Sequence, residues 1–445
     1  MAMTSQLVAQ LEDLFNQYGT INNSSLFQLR RNRWHVLSDD DDAPPKYCGL
    51  TMATGVNFAK SELWEPSPMK KCRTECNQEK LPVPAGDKIV MDKEIWKQFP
   101  EDLFEVLIAR LPIEAFFRFR SVCRKWNALP ESESFSKHCT QILRTEPWFY
   151  TVTHGSNNYG ALYDPSSMKW HQPSISSFPE KMIVLPVASA GGLMCFIDIG
   201  QRSFYVCNPL TQSFKELPTS SVKVWWHIAV GMTFDDSAVG HGYKIVWVSS
   251  VGDYEVYDSQ TLSWKQPTRM PPYMTLPLSL NLRSQTISID NNLYFMRSDP
   301  EGIVSYDAST GVWKQFIIPS PLYLCDHTLA ECGGRIMLAG LVTKNAATCL
   351  CIWELQKMTL LWKEVDRMPN IWCLDFYGKH VTMTCLGNKG MLLLSLRSKQ
   401  YNLLVTYNIS SREWIKIPFS HHSRGRKRQW IVSGAAFYPC VTSLA

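Results

Sequence analysis

The sequence of 445 residues has no apolar run that approaches the roughly 20 residues of a membrane-spanning helix. Its first residues, MAMTSQLVAQLEDLF, lack the basic-then-apolar order of a secretory signal peptide. The 14 cysteines are scattered among apolar neighbours without the framework of a disulfide-rich domain, which predicts reduced core thiols. We therefore expect an intracellular protein of the nucleus, the cytoplasm or both, with no membrane partner.

The sequence also has little net charge for its length. A formal charge of +5 is spread along the chain, which argues against nucleic acid as the main partner. The one dense basic cluster, HHSRGRKRQ at residues 421–429, fits a nuclear import signal or an anion-binding loop. A solvated loop is the simpler interpretation of the same cluster.

No catalytic constellation is visible. The ten histidines show no metal-ligand spacing, and a G-x-S-x-G elbow, a P-loop and a dinucleotide fingerprint do not occur. Cys72 and Cys76 have a loose metal-ligand spacing, but no matching pair follows within a finger-like span. We predict a protein that is not an enzyme and that holds no metal or cofactor.

The N-terminal residues 1–92 read as a mostly flexible segment. They contain six prolines, an acidic run at Asp39–Asp42 and little apolar periodicity. Apolar residues at helical spacing between Leu7 and Phe15 predict one short helix near the start.

Residues 93–140 are abruptly rich in Leu, Phe, Val and Ile and predict helices. Pro100 and two following acids mark the start of one helix, which Pro112 ends, and shorter helices are expected near 113–120 and 121–129. A unit of about 40–45 residues can scarcely bury so much apolar surface alone, so a partner is expected. From periodicity alone, packing of these helices on the rest of the chain is an equal alternative.

The residue order in this unit resembles an F-box. It runs F-P-x-D-L, V-L, R-L-P, F-R-x-R-x-V-C-x-x-W and a final Phe, and it departs mildly at Phe99, where the family commonly has leucine. The F-box family binds the Skp-type adaptor of a cullin–RING ubiquitin ligase, so the resemblance implies an adaptor interface, with a cullin scaffold and a RING subunit as further partners. The adaptor-binding residues implied by the resemblance are Pro100, Leu103, Leu107, Leu111, Pro112, Val122 and Trp126.

Five related stretches follow: ALYDPSSMKWHQP, VCNPLTQSFKELP, EVYDSQTLSWKQP, VSYDASTGVWKQF and VTYNISSREWIKIP. In each, an Asp or Asn precedes an aromatic residue by six positions, and a degenerate sixth copy contains Trp353 and Trp362. Successive anchors lie 44 to 54 residues apart, a period found in propeller blades. The anchor pairs are Asp164 with Trp170, Asn208 with Phe214, Asp258 with Trp264, Asp307 with Trp313 and Asn408 with Trp414.

Each copy predicts two short strands around a turn. Asp or Asn can hydrogen-bond the turn backbone, while Tyr and Trp on the paired strands bury large surfaces between neighbouring sheets. Glycine pairs, such as Gly191-Gly192 and Gly333-Gly334, permit a backbone turn that side chains would block. The combination of Gly-Gly, Tyr-Asp and Trp resembles the kelch motif over roughly 148–438.

A propeller must close, because an open ring would expose the sheet faces of its first and last blades. Residues 148–170 supply only outer strands of a first blade, whereas IVSGAAFYPCV at 431–441 resembles an inner strand. We predict a mainly β chain with a six-bladed kelch-type β-propeller at 145–441, whose C-terminal strand closes blade one. A small all-α F-box at 93–140 precedes it. An open solenoid or two β-domains are the alternatives.

The whole chain resembles plant F-box/kelch-repeat proteins, and within them the F-box only subgroup associated with leaf development. The resemblance implies a substrate-recognition subunit of an SCF-type ubiquitin ligase whose propeller binds an unknown protein substrate. A kelch scaffold without ligase function and a carbohydrate-binding or sugar-converting propeller are the alternatives.

Substrate recognition is expected on loops of the propeller, where binding sites concentrate on a rigid scaffold. Large aromatic residues are favoured at interface hot spots, although each also fits the core of a tryptophan-rich repeat protein. The candidate residues are Trp225, Trp226, His227, Tyr273 and Trp372.

Overall fold

The computed structural model describes residues 35–36, 100–141, 147–153, 160–173, 184–225, 227–235, 242–274, 276–277, 286–298, 300–418 and 431–442. Of the predicted flexible segment 1–92, only the pair 35–36 falls within these residues. The predicted helix at Leu7–Phe15, the Cys72/Cys76 pair and the basic cluster at 421–429 lie outside them.

A helical module follows the short strand at His35–Val36. Its helices are α1 (Glu101–Ala109), α2 (Ile113–Arg120), α3 (Arg124–Asn127) and α4 (Glu133–Gln141), with a 3₁₀ turn at Leu129–Glu131. The helix from Pro100 towards Pro112 forms as expected. The helix expected over 121–129 is shorter, because the N–H groups of Ser121 and Val122 bond back to α2 and turn the chain. Within the described residues no helix has the length and apolar character to cross a membrane.

Six sheets of antiparallel strands follow, and they form the predicted mainly β, six-bladed propeller. Blade 1 contains β1 (His35–Val36), β2 (Trp148–Thr153), β3 (Gly160–Asp164), β4 (Lys169–Gln172) and β26 (Ile431–Phe437). Blade 2 contains β5 (Val184–Ala190), β6 (Leu193–Asp198), β7 (Ser203–Cys207) and β8 (Phe214–Glu216). Blade 3 contains β9 (Ile228–Asp235), β10 (Gly242–Ser249), β11 (Asp253–Asp258), β12 (Ser263–Trp264) and β13 (Thr268–Arg269).

The other three blades have four strands each. Blade 4 contains β14 (Ile287–Ile289), β15 (Asn292–Ser298), β16 (Glu301–Asp307) and β17 (Trp313–Ile317). Blade 5 contains β18 (Leu324–Glu331), β19 (Ile336–Lys344), β20 (Ala347–Gln356) and β21 (Leu361–Arg367). Blade 6 contains β22 (Thr382–Asn388), β23 (Met391–Arg397), β24 (Asn402–Asn408) and β25 (Glu413–Lys416). Helix α5 (Asn370–Cys373) and a 3₁₀ turn at Leu374–Phe376 connect blades 5 and 6.

The ring is joined by pairing of β26 with β2, in which Trp148 lies opposite Phe437. The buried amide of Asn388 in blade 6 donates to the carbonyl oxygens of both residues, at 2.9 and 3.0 Å. Buried apolar clusters lie between neighbouring blades from blade 2 through blade 6 to blade 1. Between blades 1 and 2, the ring of Tyr150 contacts that of Phe196 edge to face at 5.4 Å. The propeller core is therefore a series of sheet-to-sheet contacts, completed by the last strand of the chain.

The repeated motif performs the two structural roles expected of it. The anchor side chains of Asp164, Asn208, Asp258, Asp307 and Asn408 each accept a hydrogen bond from the backbone N–H two residues later, at 2.8 to 3.0 Å. Two of the motif tryptophans also bond to the chain that leaves the preceding blade: Trp170 Nε1 donates to Pro418 O and Trp264 Nε1 to Pro218 O, at 2.9 and 2.8 Å. Each copy therefore closes its own turn, and two copies also fasten a blade to its neighbour.

The strand directions define two faces of the ring. We call the face at which the chain enters blade 1, at Trp148, the proximal face. With the strands of each blade counted outward from the centre of the ring, this face carries the turns between the first and second strands and between the third and fourth strands. The distal face carries the turns between second and third strands and the linkers between blades. Linkers and turns of the distal face are the loops that a rigid propeller offers for binding.

Candidate functional site

The helical module has a compact aromatic interior. Phe116 is fully buried and stacks on Phe135 at 5.6 Å, and Phe119 stacks on Trp126 at 3.8 Å. The guanidinium of Arg120 lies 6.0 Å from the Phe116 ring, and burial lowers the pKa of Arg120. These contacts hold α2, α3 and α4 together although the module is short.

The seven residues implied to bind an adaptor differ in exposure. Leu103 is 50% exposed and Val122 is 52% exposed. Pro100 and Pro112 are exposed and Leu107 and Trp126 are half-buried, whereas Leu111 is 5% exposed. Leu103 and Val122 therefore offer apolar surface to a partner, while Leu111 packs inside the module.

The module contacts blade 1 at a buried histidine. Nε2 of His171 in β4 lies 3.4 Å from Oε1 of Glu114 in α2, and the imidazole stacks on the Trp148 ring at 5.1 Å. Burial lowers the pKa of His171, an effect that outweighs the opposing attraction of Glu114 and Asp164. The junction thus places a largely neutral imidazole between the helices and the propeller.

The candidate recognition residues lie in different environments. Trp225 is buried against Phe204 in the core between blades 2 and 3, and Trp226 lies outside the described residues. His227 is exposed. Tyr273 is 62% exposed, and its carbonyl accepts a hydrogen bond from Arg297 Nη2 at 3.1 Å. The linkers of the distal face carry Trp225, Tyr273 and Trp372, and these assignments to substrate binding remain predictions.

Sequence reasoning missed a set of exposed apolar side chains near blade 5. They lie in the linker before this blade and in the helical segment after it, on the distal face. No repeat marks them, and the only available signal was their apolar character within linkers. The set comprises Leu322, Tyr323, Ile371, Leu374 and Tyr377.

Known proteins share both parts of this architecture. Residues 96–138 match the family model of the F-box domain, and residues 151–430 match the model described as F-box protein At3g26010-like, beta-propeller. The chain is 53% identical to F-box only protein 6 of Arabidopsis thaliana, with 100% of this chain and 99% of that protein covered.

Two more distant relatives come from the same plant. Protein UNUSUAL FLORAL ORGANS is 25% identical, with 79% of this chain and 87% of that protein covered. F-box/kelch-repeat protein At5g43190 is also 25% identical, with 76% of this chain and 86% of that protein covered. The similarity therefore spans the helical module and the propeller together.

Proposed function

Because this chain belongs to the F-box proteins that carry a β-propeller, we propose that it is the substrate-recognition subunit of an SCF-type cullin–RING ubiquitin ligase. The F-box binds a Skp-type adaptor, which connects it to the cullin scaffold and the RING subunit. The propeller binds the protein to be ubiquitinated. The chain itself supplies no catalytic residue and requires no cofactor, since other subunits perform the transfer.

The observation that carries the proposal is exposed apolar surface on a module with the F-box sequence. Leu103 and Val122 are each about half exposed, although Phe116, Phe119 and Phe135 are buried in the interior of the module. A small helical unit that has filled its interior gains further stabilisation from these side chains only by covering them with a partner. An adaptor that packs on the F-box supplies such a cover.

The contribution to ubiquitin transfer is proximity. A receptor that holds its target near the ubiquitin-charged enzyme raises the effective concentration of the reacting groups. That effect requires a defined geometry between adaptor and target. Glu114 of α2 lies 3.4 Å from His171 of blade 1, so the helices contact the propeller at a defined place.

We assign the protein to the nucleus, the cytoplasm or both, where the ligase subunits meet their targets. A role in leaf development is the finer part of the proposal and follows from the resemblance to the F-box only subgroup. Loss-of-function plants with unchanged leaf shape would remove that part without affecting the biochemical proposal.

Purified full-length protein mixed with a purified Skp-type adaptor tests the proposal by size-exclusion chromatography. The wild type should co-elute with the adaptor, whereas the double variant Leu103→Glu/Val122→Glu should not. Met168→Glu is the matched control, because Met168 is 63% exposed in a turn of blade 1 outside the F-box. A folded wild type that fails to bind the adaptor would contradict the proposal. Charge at Leu111 is avoided because this residue is buried.

A further inference from the structure

The distal face of the propeller carries an apolar surface at blade 5. We call it the blade 5 patch and define it by Leu322, Tyr323, Ile371, Leu374 and Tyr377, which are 81%, 61%, 72%, 69% and 59% exposed. Contiguous exposed patches of several hundred Å² are uncommon on monomers and often mark interaction sites. Two tyrosines among five residues also match the enrichment of aromatic residues at hot spots.

Backbone contacts connect the segments that bear the patch. The N–H of Thr343, near the tip of the β19–β20 hairpin, donates to Tyr323 O at 3.2 Å. On the other side of the hairpin, Gly378 N donates to Ala346 O at 2.8 Å. The hairpin thus fastens the linker before blade 5 to the helical segment after it. Its strands have 9 and 10 residues, compared with 7 in β22, β23 and β24.

The backbone of the patch is fixed at Tyr323 and at the hairpin turn that contacts it. Tyr323 has a φ of 62°, in the left-handed region that non-glycine residues seldom adopt and that persists where surrounding contacts enforce it. Asn345 and Ala346, with φ values of 51° and 64°, are the two central residues of the β19–β20 hairpin, where positive φ is the usual turn geometry. The patch is therefore a preorganised surface, and ordering it on binding costs little.

Positive charge borders the patch. Lys344 Nζ lies 5.4 Å from the centre of the Tyr323 ring, and Lys416 Nζ lies 4.7 Å from that of Trp372. Lys379 Nζ donates to the backbone oxygen of Asp375 at 2.7 Å. These contacts orient the three ammonium groups, and no carboxylate of the described residues forms an ion pair with them.

Two neighbouring carboxylates accept hydrogen bonds from groups of blade 6. Asp326 accepts a hydrogen bond from Met383 N at 2.9 Å, and Asp366 accepts one from Trp414 Nε1 at 3.3 Å. Burial raises the pKa of Tyr401, and the nearby Asp375 carboxylate raises it further. Within the described residues, the surface therefore combines exposed apolar groups with lysines whose charge a partner can neutralise.

We propose that the blade 5 patch binds an acidic peptide segment that also carries apolar side chains. Its carboxylates would pair with Lys344 and Lys379 while its apolar side chains cover the patch. This inference rests on the proposed function, since the segment would belong to the protein to be ubiquitinated. The patch lies on the face opposite the one at which the chain enters blade 1, and a bound target would leave the helical module free.

A phage-displayed library of random short peptides, selected on immobilised full-length protein, tests the inference. The enriched peptides should contain Asp or Glu together with Leu, Phe or Trp. Their binding to the wild type, measured by fluorescence anisotropy with a synthetic peptide from the selection, should weaken as salt is raised. Enrichment of basic peptides, or no enrichment, would overturn the inference.

Variants locate the binding. Leu322→Ser/Leu374→Ser and, separately, Lys344→Glu/Lys379→Glu should each raise the Kd of the selected peptide about tenfold or more. Lys357→Glu/Met358→Ser is the control, because both residues are exposed in a turn of the same blade on the proximal face. Equal loss in the control, or no loss in the patch variants, would contradict the assignment. Adaptor binding by the wild type and the patch variants is measured in parallel. Loss of peptide binding with adaptor binding retained concerns the patch alone, whereas a wild type that does not bind the adaptor contradicts the receptor proposal.

Discussion

The helical module and the propeller treat their large apolar side chains differently. In the propeller, repeated tryptophans such as Trp170 and Trp264 lie against a tyrosine of their own blade and donate Nε1 to the chain that leaves the blade before. In the module, Leu103 and Val122 belong to no repeated motif and are half exposed. The difference indicates that the residues repeated from blade to blade are those that the propeller fold requires. We interpret the exposed apolar residues of the module, which belong to no repeat, as a surface for a partner.

The largest expected effect comes from opening the ring. A chain that ends at residue 430 lacks β26 and exposes the inner edges of blades 1, 2 and 6. Because closure covers the sheet faces of the first and last blades, we expect loss of the cooperative unfolding transition in circular dichroism. A chain that ends at residue 442 retains β26 and serves as the control; retained cooperativity in the shorter chain would contradict the account.

A smaller effect is expected within the module. Phe116 is fully buried against Phe135, so Phe116→Ala should destabilise the module by about 3–5 kcal/mol. Amide hydrogen exchange should rise across α2, α3 and α4 and change little in blades 3 and 4. Phe117→Ala is the control, since Phe117 is only partly buried. Equal loss of protection throughout the propeller would show that the two regions are one cooperative unit.

The bonds between blades provide a finer comparison. Trp170→Phe removes the hydrogen bond to Pro418 O, whereas the buried Nε1 of Trp313 has no acceptor among the described residues. Trp170 and Trp313 are both buried, so Trp313→Phe removes similar buried volume without removing such a bond. Denaturant unfolding should show about 1 kcal/mol more destabilisation for Trp170→Phe than for Trp313→Phe. Equal losses would mean that the bond contributes nothing to stability.

The smallest expected effect is the pH response of the junction. Burial lowers the pKa of His171 from its ordinary value of 6.5, so the unfolded chain binds a proton more readily than the folded chain. The stability from neutral His171 is fully present above pH 6.5 and is lost as pH falls towards the lowered pKa. His171→Gln should reduce the loss of stability between about pH 7.5 and about pH 5.5. If His171→Gln and the wild type lost the same amount of stability between these two pH values, the prediction would be contradicted.

The repeats made the propeller predictable. The spacing between an anchor such as Asp307 and Trp313 is fixed because the anchor side chain closes a turn and Trp313 lies opposite Tyr306 in the paired strand. The same local requirement applies in every regular copy, so the motif can be recognised from a short stretch of sequence without the rest of the chain. The predicted six-bladed fold is confirmed for the same reason.

The binding surfaces were less predictable because linkers carry no such periodic constraint. Trp225 and Tyr273 both lie in linkers between blades, yet Trp225 is buried in a core between blades and Tyr273 is exposed. The blade 5 patch depends on the β19–β20 hairpin bringing Tyr323 and the segment around Tyr377 together, which is a tertiary effect. Likewise, nothing in the local sequence pairs Glu114 with His171.

We propose that the helical module binds the adaptor and that the distal face of the propeller binds the target. The most direct test is the Kd for a purified Skp-type adaptor, measured by calorimetry for the wild type, Leu103→Glu/Val122→Glu and Leu322→Ser/Leu374→Ser. We predict that only the first pair of substitutions abolishes binding and that the second pair leaves the Kd unchanged. Loss of adaptor binding in both variants, or in neither, would contradict the account.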